Sequence, residues 1–316
     1  MSAARPLVTV VVPVYFNAES LPRLAERLKA IAASADFDLE AVFVDDGSGD
    51  DSWNRIQRIS QEWPAARGLR LTRNFGSQMA IAAGLREARG EAVAVLSADL
   101  QEPPELLPEM VAAWRNGATA VLAVRRSRPE GWTTRAAAAM YYRTLRHLAL
   151  SAMPSGGFDC FLIGRKAIDF LAENREVHTS LPGLLIWGGF PTALVSYDRI
   201  AREGGESRWT FAKKIKYFLD AVISFSYAPL RWMSVAGAVL ALLGFGYAVF
   251  LVAYKILHGQ PIQGWSSLMV ALAFFSGVQL LSLGVLGEYV WRTLDAARSR
   301  KGFLVRDRTE ESRVRS

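Results

Sequence analysis

Several short polar stretches, each following an apolar run, carry residue types that could do chemistry. Residues 95–105 read Val-Leu-Ser-Ala-Asp-Leu-Gln-Glu-Pro-Pro-Glu. In this stretch Asp99 and Gln101 offer a carboxylate and an amide oxygen able to hold a hard divalent cation against a phosphate. From this stretch alone a simpler role stays open, in which the pair caps a helix begun by Pro103 and Pro104. Asp45 and Asp46 open the run 45–51, Asp-Asp-Gly-Ser-Gly-Asp-Asp. Adjacent carboxylates at a strand end are costly to bury, so a purely structural role suits Asp45 and Asp46 poorly, whereas Asp50 and Asp51 read as helix caps. Pro13-Val14-Tyr15-Phe16-Asn17 places an aromatic ring where a planar base could stack. Arg125, Arg126 and Arg128, and a glycine-containing loop with Arg199, Arg202 and Arg208, supply cations. For the latter loop a solvated surface turn is the competing reading.

The elements that must position these residues follow from hydrophobic pattern. Strands are expected at 8–14, 39–44, 69–71, 92–96, 118–124 and 193–197, and the polar stretches stand at their ends. Helices are expected from Ser20, with Leu21, Leu24, Leu28 and Ile31 at helical spacing, after Gln78, and from Glu105 to about Arg115. Alternation of strand and helix predicts an α/β fold with a mostly parallel sheet covered on both faces. In such a sheet ligands bind at the carboxyl ends of the strands.

The formal charge is +7 and the pI about 9.7, which points to an anionic partner. Two apolar segments, 233–254 and 262–287, assign that charge to a phosphorylated ligand and a membrane surface rather than to nucleic acid. A short connector makes them a hairpin. Arg231 precedes it, and Arg292, Arg298, Arg300 and Lys301 follow, so the positive-inside rule expects both termini in the cytoplasm of a multi-pass inner-membrane protein. The run 7–15 is short and broken by proline, unlike a signal peptide. Cys160 is the single cysteine, which fits a reducing compartment. The expected domains are 1–209, cytoplasmic and catalytic; 210–232, an interfacial amphipathic helix; 233–287, the two spans; and 288–316, a basic tail, disordered from Arg306. Residues 132–150 are expected to form a helix along the membrane surface. Gly237, Gly244, Gly277 and Gly284 allow close helix packing, and so a homo-oligomer.

Together, Val12-Pro13-Val14-Tyr15, Val44-Asp45-Asp46-Gly47-Ser48, Arg73-Asn74-Phe75-Gly76, Ala98-Asp99-Leu100-Gln101-Glu102-Pro103-Pro104-Glu105, Gly205-Glu206-Ser207-Arg208-Trp209 and Gly287-Glu288-Tyr289 resemble the family 2 glycosyltransferases with a GT-A fold. More narrowly they resemble the polyprenyl-phosphate glycosyltransferases related to dolichol-phosphate mannose synthase and the GtrB-type enzymes. The resemblance implies a membrane-anchored, inverting, metal-dependent enzyme moving one sugar from a UDP- or GDP-linked donor to a polyprenyl phosphate such as undecaprenyl phosphate. It implies that Pro13, Tyr15 and Asp46 hold the base and ribose, with Asp45 beside them and Glu19, Ser97 and Ala98 lining the donor. It implies that Asp99 and Gln101 bind Mg²⁺ or Mn²⁺, and that Arg125 and Arg202 contact phosphates. A polyprenyl phosphate is already an anionic nucleophile, so no strong base is needed.

Three departures stand out. Ser97 replaces the first aspartate of the usual Asp-Ala-Asp; Phe16, Asn17 and Ala18 replace Asn-Glu-Glu-like residues; Arg208 stands where lysine is frequent. Ser97 motivates an alternative, a non-catalytic nucleotide-sugar-binding or scaffold homologue. A further alternative is transfer to another lipid-borne acceptor, which would need a base, with Asp159 the best-placed candidate.

Overall fold

The β-branched run at the start of the chain forms β1 (Leu7–Val14), buried along nearly its whole length. The structure, a computed structural model, describes residues 5–126, 140, 142–147, 150–154, 156–158, 160–173, 180–198, 223–258, 264–298 and 300–309. After β1 come α1 (Leu21–Ser34), β2 (Asp38–Asp45), α2 (Ser52–Glu62), β3 (Ala66–Leu71), α3 (Ser77–Glu87), β4 (Ala92–Val95), a 3₁₀ turn (Pro104–Leu106), α4 (Leu107–Arg115) and β5 (Ala120–Arg125). Then follow β6 (Cys160–Gly164), α5 (Arg165–Glu173), α6 (Leu181–Trp187), β7 (Thr192–Tyr197), α7 (Ala228–His258), α8 (Trp265–Arg298) and β8 (Val305–Arg308). Two compact units result, Met1–Ala221 with Arg300–Ser316, and Val222–Ser299.

In the first unit the strands form one sheet in the order β7-β5-β6-β4-β1-β2-β3-β8. The pairs β4-β1, β1-β2, β2-β3 and β5-β7 are parallel; β6 runs antiparallel between β4 and β5, and β8 antiparallel to β3. Because β6 opposes both neighbours, β4 and β5 point the same way. The carboxyl ends of β1 to β5 therefore share one edge of the sheet.

A strand that is apolar at nearly every position needs cover on both faces. Val8, Val10, Val12 and Val14 pack in a core with Leu21, Leu24 and Leu28 of α1. Val11 points the other way, towards α3, where a Cβ on Gly84 would come within 2.3 Å of its Cγ1. Each fully buried Val or Leu contributes roughly 1.5–3 kcal/mol, so this double cover holds the sheet rigid beneath its polar edge. Pro13 is accommodated in β1 because pairing to β4 ends at Val11. Beyond that point its missing N–H interrupts no ladder on that side.

Strand β3 begins three residues before the expected 69, α4 begins after a 3₁₀ turn, and β6 and α5 were not expected at all. The segment from Arg306 is not wholly a disordered tail. Val305–Arg308 pairs with β3, Leu69 opposite Arg308 and Arg70 opposite Asp307. Its charges are held by this pairing and by an Arg308–Glu87 ion pair at 2.9 Å, while Arg86 lies over the Phe303 ring. Buried Thr309 accepts the Gly68 amide at 2.9 Å through its hydroxyl. Thr309→Val should leave that amide unsatisfied and lower stability by about 1–3 kcal/mol, read from urea unfolding of the detergent-solubilised protein.

In the second unit, α7 and α8 have 31 and 34 residues, and each is long and apolar enough to cross a membrane. Their large side chains, among them Leu242, Phe245, Phe250, Leu280 and Leu281, are exposed, as in helices that associate with a membrane. The two helices are suited to a hairpin, and the segment just before α7 is tied to the polar end of α8. The Tyr289 hydroxyl donates to the Ser226 carbonyl at 2.9 Å and Arg292 reaches the Ser224 hydroxyl at 3.3 Å. Most of 132–150 and all of 210–222 lie outside the described residues.

Candidate active site

At the shared edge, the polar stretches that follow β1, β2 and β4 are laced together by side chains. The loop after β1 is pinned by the loop after β2. Ser48 Oγ accepts the Phe16 amide at 3.0 Å, Ser52 Oγ the Asn17 amide at 3.0 Å, and Asp50 the Ala18 amide at 3.3 Å. Phe16 is thereby held at a φ of 59°, a conformation unusual for a bulky residue. Its ring meets Tyr15 edge-on at 4.7 Å, and both rings stand partly exposed. Asp50 also accepts the Ser52 amide at 3.2 Å at the start of α2, whereas Asp51, at the N-cap position, makes no side-chain capping bond and binds Asn54 and Arg55 instead.

Asp45 and Asp46 are both buried but do different things. Asp46 accepts the amides of Phe75 and Gly76 at 2.7 and 2.9 Å, one on each oxygen. It thus ties the Arg73-Asn74-Phe75-Gly76 loop to the end of β2. Gly47 completes that tie: at φ 69° a Cβ there would lie 2.6 Å from the Arg73 carbonyl carbon, so only glycine lets the two loops touch. Burial pushes the Asp46 carboxyl up to about 6, against the two amides that favour its charged form. Asp45 Oδ1 accepts the Ser48 amide at 3.0 Å. Its Oδ2 is fully buried without a hydrogen bond among the described residues, 3.4 Å from Arg70 Nε. Burial also raises the Asp45 carboxyl. Arg70 sits opposite Asp45 in the sheet register and lies over the Trp53 ring at 5.9 Å.

The stretch after β4 folds back on itself. Leu100 takes a φ of 59° with its side chain buried, which turns the chain between Asp99 and Gln101 so that the Gln101 amide donates to Asp99 Oδ1 at 3.2 Å. Ser97 Oγ hydrogen-bonds Asp99 Oδ1 at 3.0 Å and also Glu102 Oε2. Ser20 heads α1, yet its hydroxyl makes no cap. It donates instead to the Ala98 carbonyl at 2.6 Å, so a cap worth about 1 kcal/mol is forgone and the loop after β1 is fastened to the loop after β4.

The edge therefore brings together Pro13, Tyr15, Asp45, Asp46, Ser97, Ala98, Asp99 and Gln101. Arg125, the last residue of β5, lies on the same edge, paired in register with Tyr197. Glu19 is exposed on the loop after β1. Asp159, Arg202 and the loop 204–209 lie outside the described residues. Sequence reading missed Arg70, whose alignment with Asp45 only strand register reveals, and Glu102, which the motif contains without a role. Among the described residues no three His, Cys, Asp or Glu side chains form a metal cage. The oxygen donors Asp99 and Gln101 still fit Mg²⁺ or Mn²⁺, since Mg²⁺ is commonly held by one or two carboxylates plus substrate phosphates.

The family model Glycosyl transferase family 2 matches residues 9–171, and the chain belongs to that family. An uncharacterised glycosyltransferase of Bacillus subtilis is 37% identical over 94% of this chain and 92% of its own length. A bactoprenol glucosyl transferase of Shigella phage SfX is 32% identical over 95% of this chain and 99% of its own. Among solved structures, glucosyl-3-phosphoglycerate synthase from Mycobacterium tuberculosis, in complex with Mn²⁺ and UDP-glucose, superposes with a TM-score of 0.50 at 17% identity, covering 69% of this chain and 77% of that one. That likeness is one of fold. The chain is a glycosyltransferase with a GT-A-like mixed α/β sheet.

Proposed function

We infer that the protein transfers a single sugar, glucose first among the candidates, from a uridine-diphosphate donor to a polyprenyl phosphate at the cytoplasmic face of a membrane. The observation that carries this reading is the set of strand-end side chains on one edge of the sheet, in a chain that aligns end to end with a bactoprenol glucosyl transferase. The apolar hairpin supplies an anchor, and its basic flanks favour a cytoplasmic location for both termini. The glycines along α7 and α8 leave room for a second copy of the chain.

Asp45 supports uracil over guanine. Its buried Oδ2 makes no hydrogen bond among the described residues and has the Arg70 guanidinium beside it. Uracil presents one N–H flanked by carbonyls, matching one acceptor and a neighbouring donor. Guanine presents two adjacent donors, so a guanidinium beside the carboxylate would meet an amino group on one side where uracil offers a carbonyl. Tyr15 offers a face for the base, and Pro13, Asp46, Glu19, Ser97 and Ala98 shape the donor cleft.

In the reaction, a phosphate oxygen of the acceptor attacks the anomeric carbon from the face opposite the leaving group. The bond from that carbon to the β-phosphate oxygen breaks, and UDP departs with the bonding pair, inverting the centre. Asp99 and Gln101 would hold Mg²⁺ or Mn²⁺, which supplies charge neutralisation for the diphosphate. Arg125 and Arg202 contribute positive charge to donor or acceptor phosphates. The acceptor needs no deprotonation, so Asp159 is not required as a base.

A donor panel tests this. Purified protein with undecaprenyl phosphate and Mn²⁺ is expected to form glycolipid with UDP-linked but not GDP-linked sugars, and Asp45→Asn should weaken UDP binding about tenfold or more by calorimetry. No glycolipid from any donor, with the fold intact by circular dichroism, would count against the reading.

A further inference from the structure

We propose that Glu102 supplies the second carboxylate of the metal site, from five positions further along the chain, where Ser97 leaves a neutral hydroxyl; this rests on the reading that Asp99 and Gln101 hold a divalent cation. The geometry begins with Ser97. Its single hydroxyl oxygen is hydrogen-bonded to Asp99 Oδ1 at 3.0 Å and to Glu102 Oε2. Two carboxylates are therefore gathered around one atom, within two hydrogen-bond lengths of each other.

The backbone explains how a residue so far along reaches back. Leu100 at positive φ reverses the chain, and its buried side chain anchors the reversal in the core. Pro103 then holds an extended conformation, and the 3₁₀ turn starts only at Pro104. Glu102 thus lies in the turn itself, and its carboxylate is drawn inward: the residue is 5% exposed, deeper than the partly buried Ser97, Asp99 and Gln101 around it. The extra methylene of glutamate provides the length needed to reach the strand end.

Charge makes the arrangement informative. Two carboxylates this close repel each other, and a neutral hydroxyl between them offers one proton. A divalent cation is a partner that both can accept at once, and hard cations favour such oxygen donors. In this arrangement Ser97 is a positioning residue that orients both carboxylates, and the protein's donor set becomes Asp99, Gln101 and Glu102.

Mn²⁺ binding to the full-length protein in detergent, with UDP present and read by electron paramagnetic resonance, tests the assignment without reference to turnover. Glu102→Gln is expected to weaken Mn²⁺ binding at least about tenfold, and adding Ser97→Asp to that variant should restore it to within a few-fold. Ser97→Asp alone should bind Mn²⁺ at least as tightly as the wild type. Unchanged affinity in Glu102→Gln, while Asp99→Asn loses it, would overturn the role of Glu102 and leave the metal site standing. Weakening without rescue by Ser97→Asp would also overturn it, as would weaker binding by Ser97→Asp alone. Wild-type protein that binds no Mn²⁺ beside UDP would overturn both this assignment and the metal-dependent reading beneath it.

Discussion

Asp99→Asn is expected to lower sugar transfer at saturating donor by about a hundred- to a thousand-fold or more, the range seen when one electrostatic stabiliser of a developing charge is removed. The variant keeps the shape of the side chain and an acceptor oxygen, so the Gln101 amide can still be bound at the turn. What it loses is the negative charge that draws a cation to the diphosphate. Folding should be little affected, because Asp99 is only partly buried and the turn is anchored by Leu100. The measurement is initial rate against Mn²⁺ concentration. If activity is recovered by raising Mn²⁺ alone, Asp99 acts through affinity; wild-type rates at ordinary Mn²⁺ would remove it from the site.

The second large effect is a dependence on pH that comes from Asp46. Its carboxyl is raised by burial from 3.8 to about 6, so the folded protein binds a proton more tightly than the unfolded chain. Stability contributed by such a group is fully present below the unfolded value and is lost as pH rises through the folded one. Across this interval the change is about 3 kcal/mol. At pH 7 the fold thus carries a buried charge at a cost, held by the Phe75 and Gly76 amides. Asp46→Asn removes the charge but turns an amino group towards one of those amides, costing about 1–3 kcal/mol. The variant should therefore be most destabilised relative to wild type near pH 4, with the gap narrowing by about 3 kcal/mol towards pH 7. Catalysis should move the other way, because the charged form clamps both amides and protonation frees one. In wild type kcat/KM should fall below about pH 6, as the Asp46 carboxylate takes up its proton. Asp46→Asn should lack that limb. A pH-independent difference in stability between the two proteins would contradict this account.

The strands that carry the site were legible because their sequences leave few choices. Residues 8–14, 39–44 and 92–96 are apolar at nearly every position, and Tyr15, Asp45 and Ser97 follow them. The hairpin was legible for the same reason. Strand β6, Cys160 to Gly164, escaped notice because it runs straight into α5 with no loop to mark its end. Strand β8 escaped because Val-Arg-Asp-Arg is nearly all charge; only pairing to β3 and the Thr309 bond to Gly68 make it a strand. At the site, residue types announced Asp45, Asp46, Asp99 and Gln101 but not their division of labour. That Asp46 holds amides about thirty residues away while Asp45 buries an oxygen beside Arg70 depends on how loops and strands meet, which Gly47 hints at and only the fold shows. Glu102 was hidden for the same reason: its meaning lies in the reversal at Leu100.

The acceptor is tested most directly by comparing undecaprenyl phosphate with undecaprenol, using radiolabelled UDP-glucose and Mn²⁺ with the full-length protein. An acceptor that is already an anion needs no base, whereas an alcohol does. Label is predicted to enter the lipid phase with undecaprenyl phosphate only, in a product cleaved by mild acid to release glucose. Equal transfer to undecaprenol, or transfer to neither lipid from any nucleotide-sugar, would contradict this choice of acceptor.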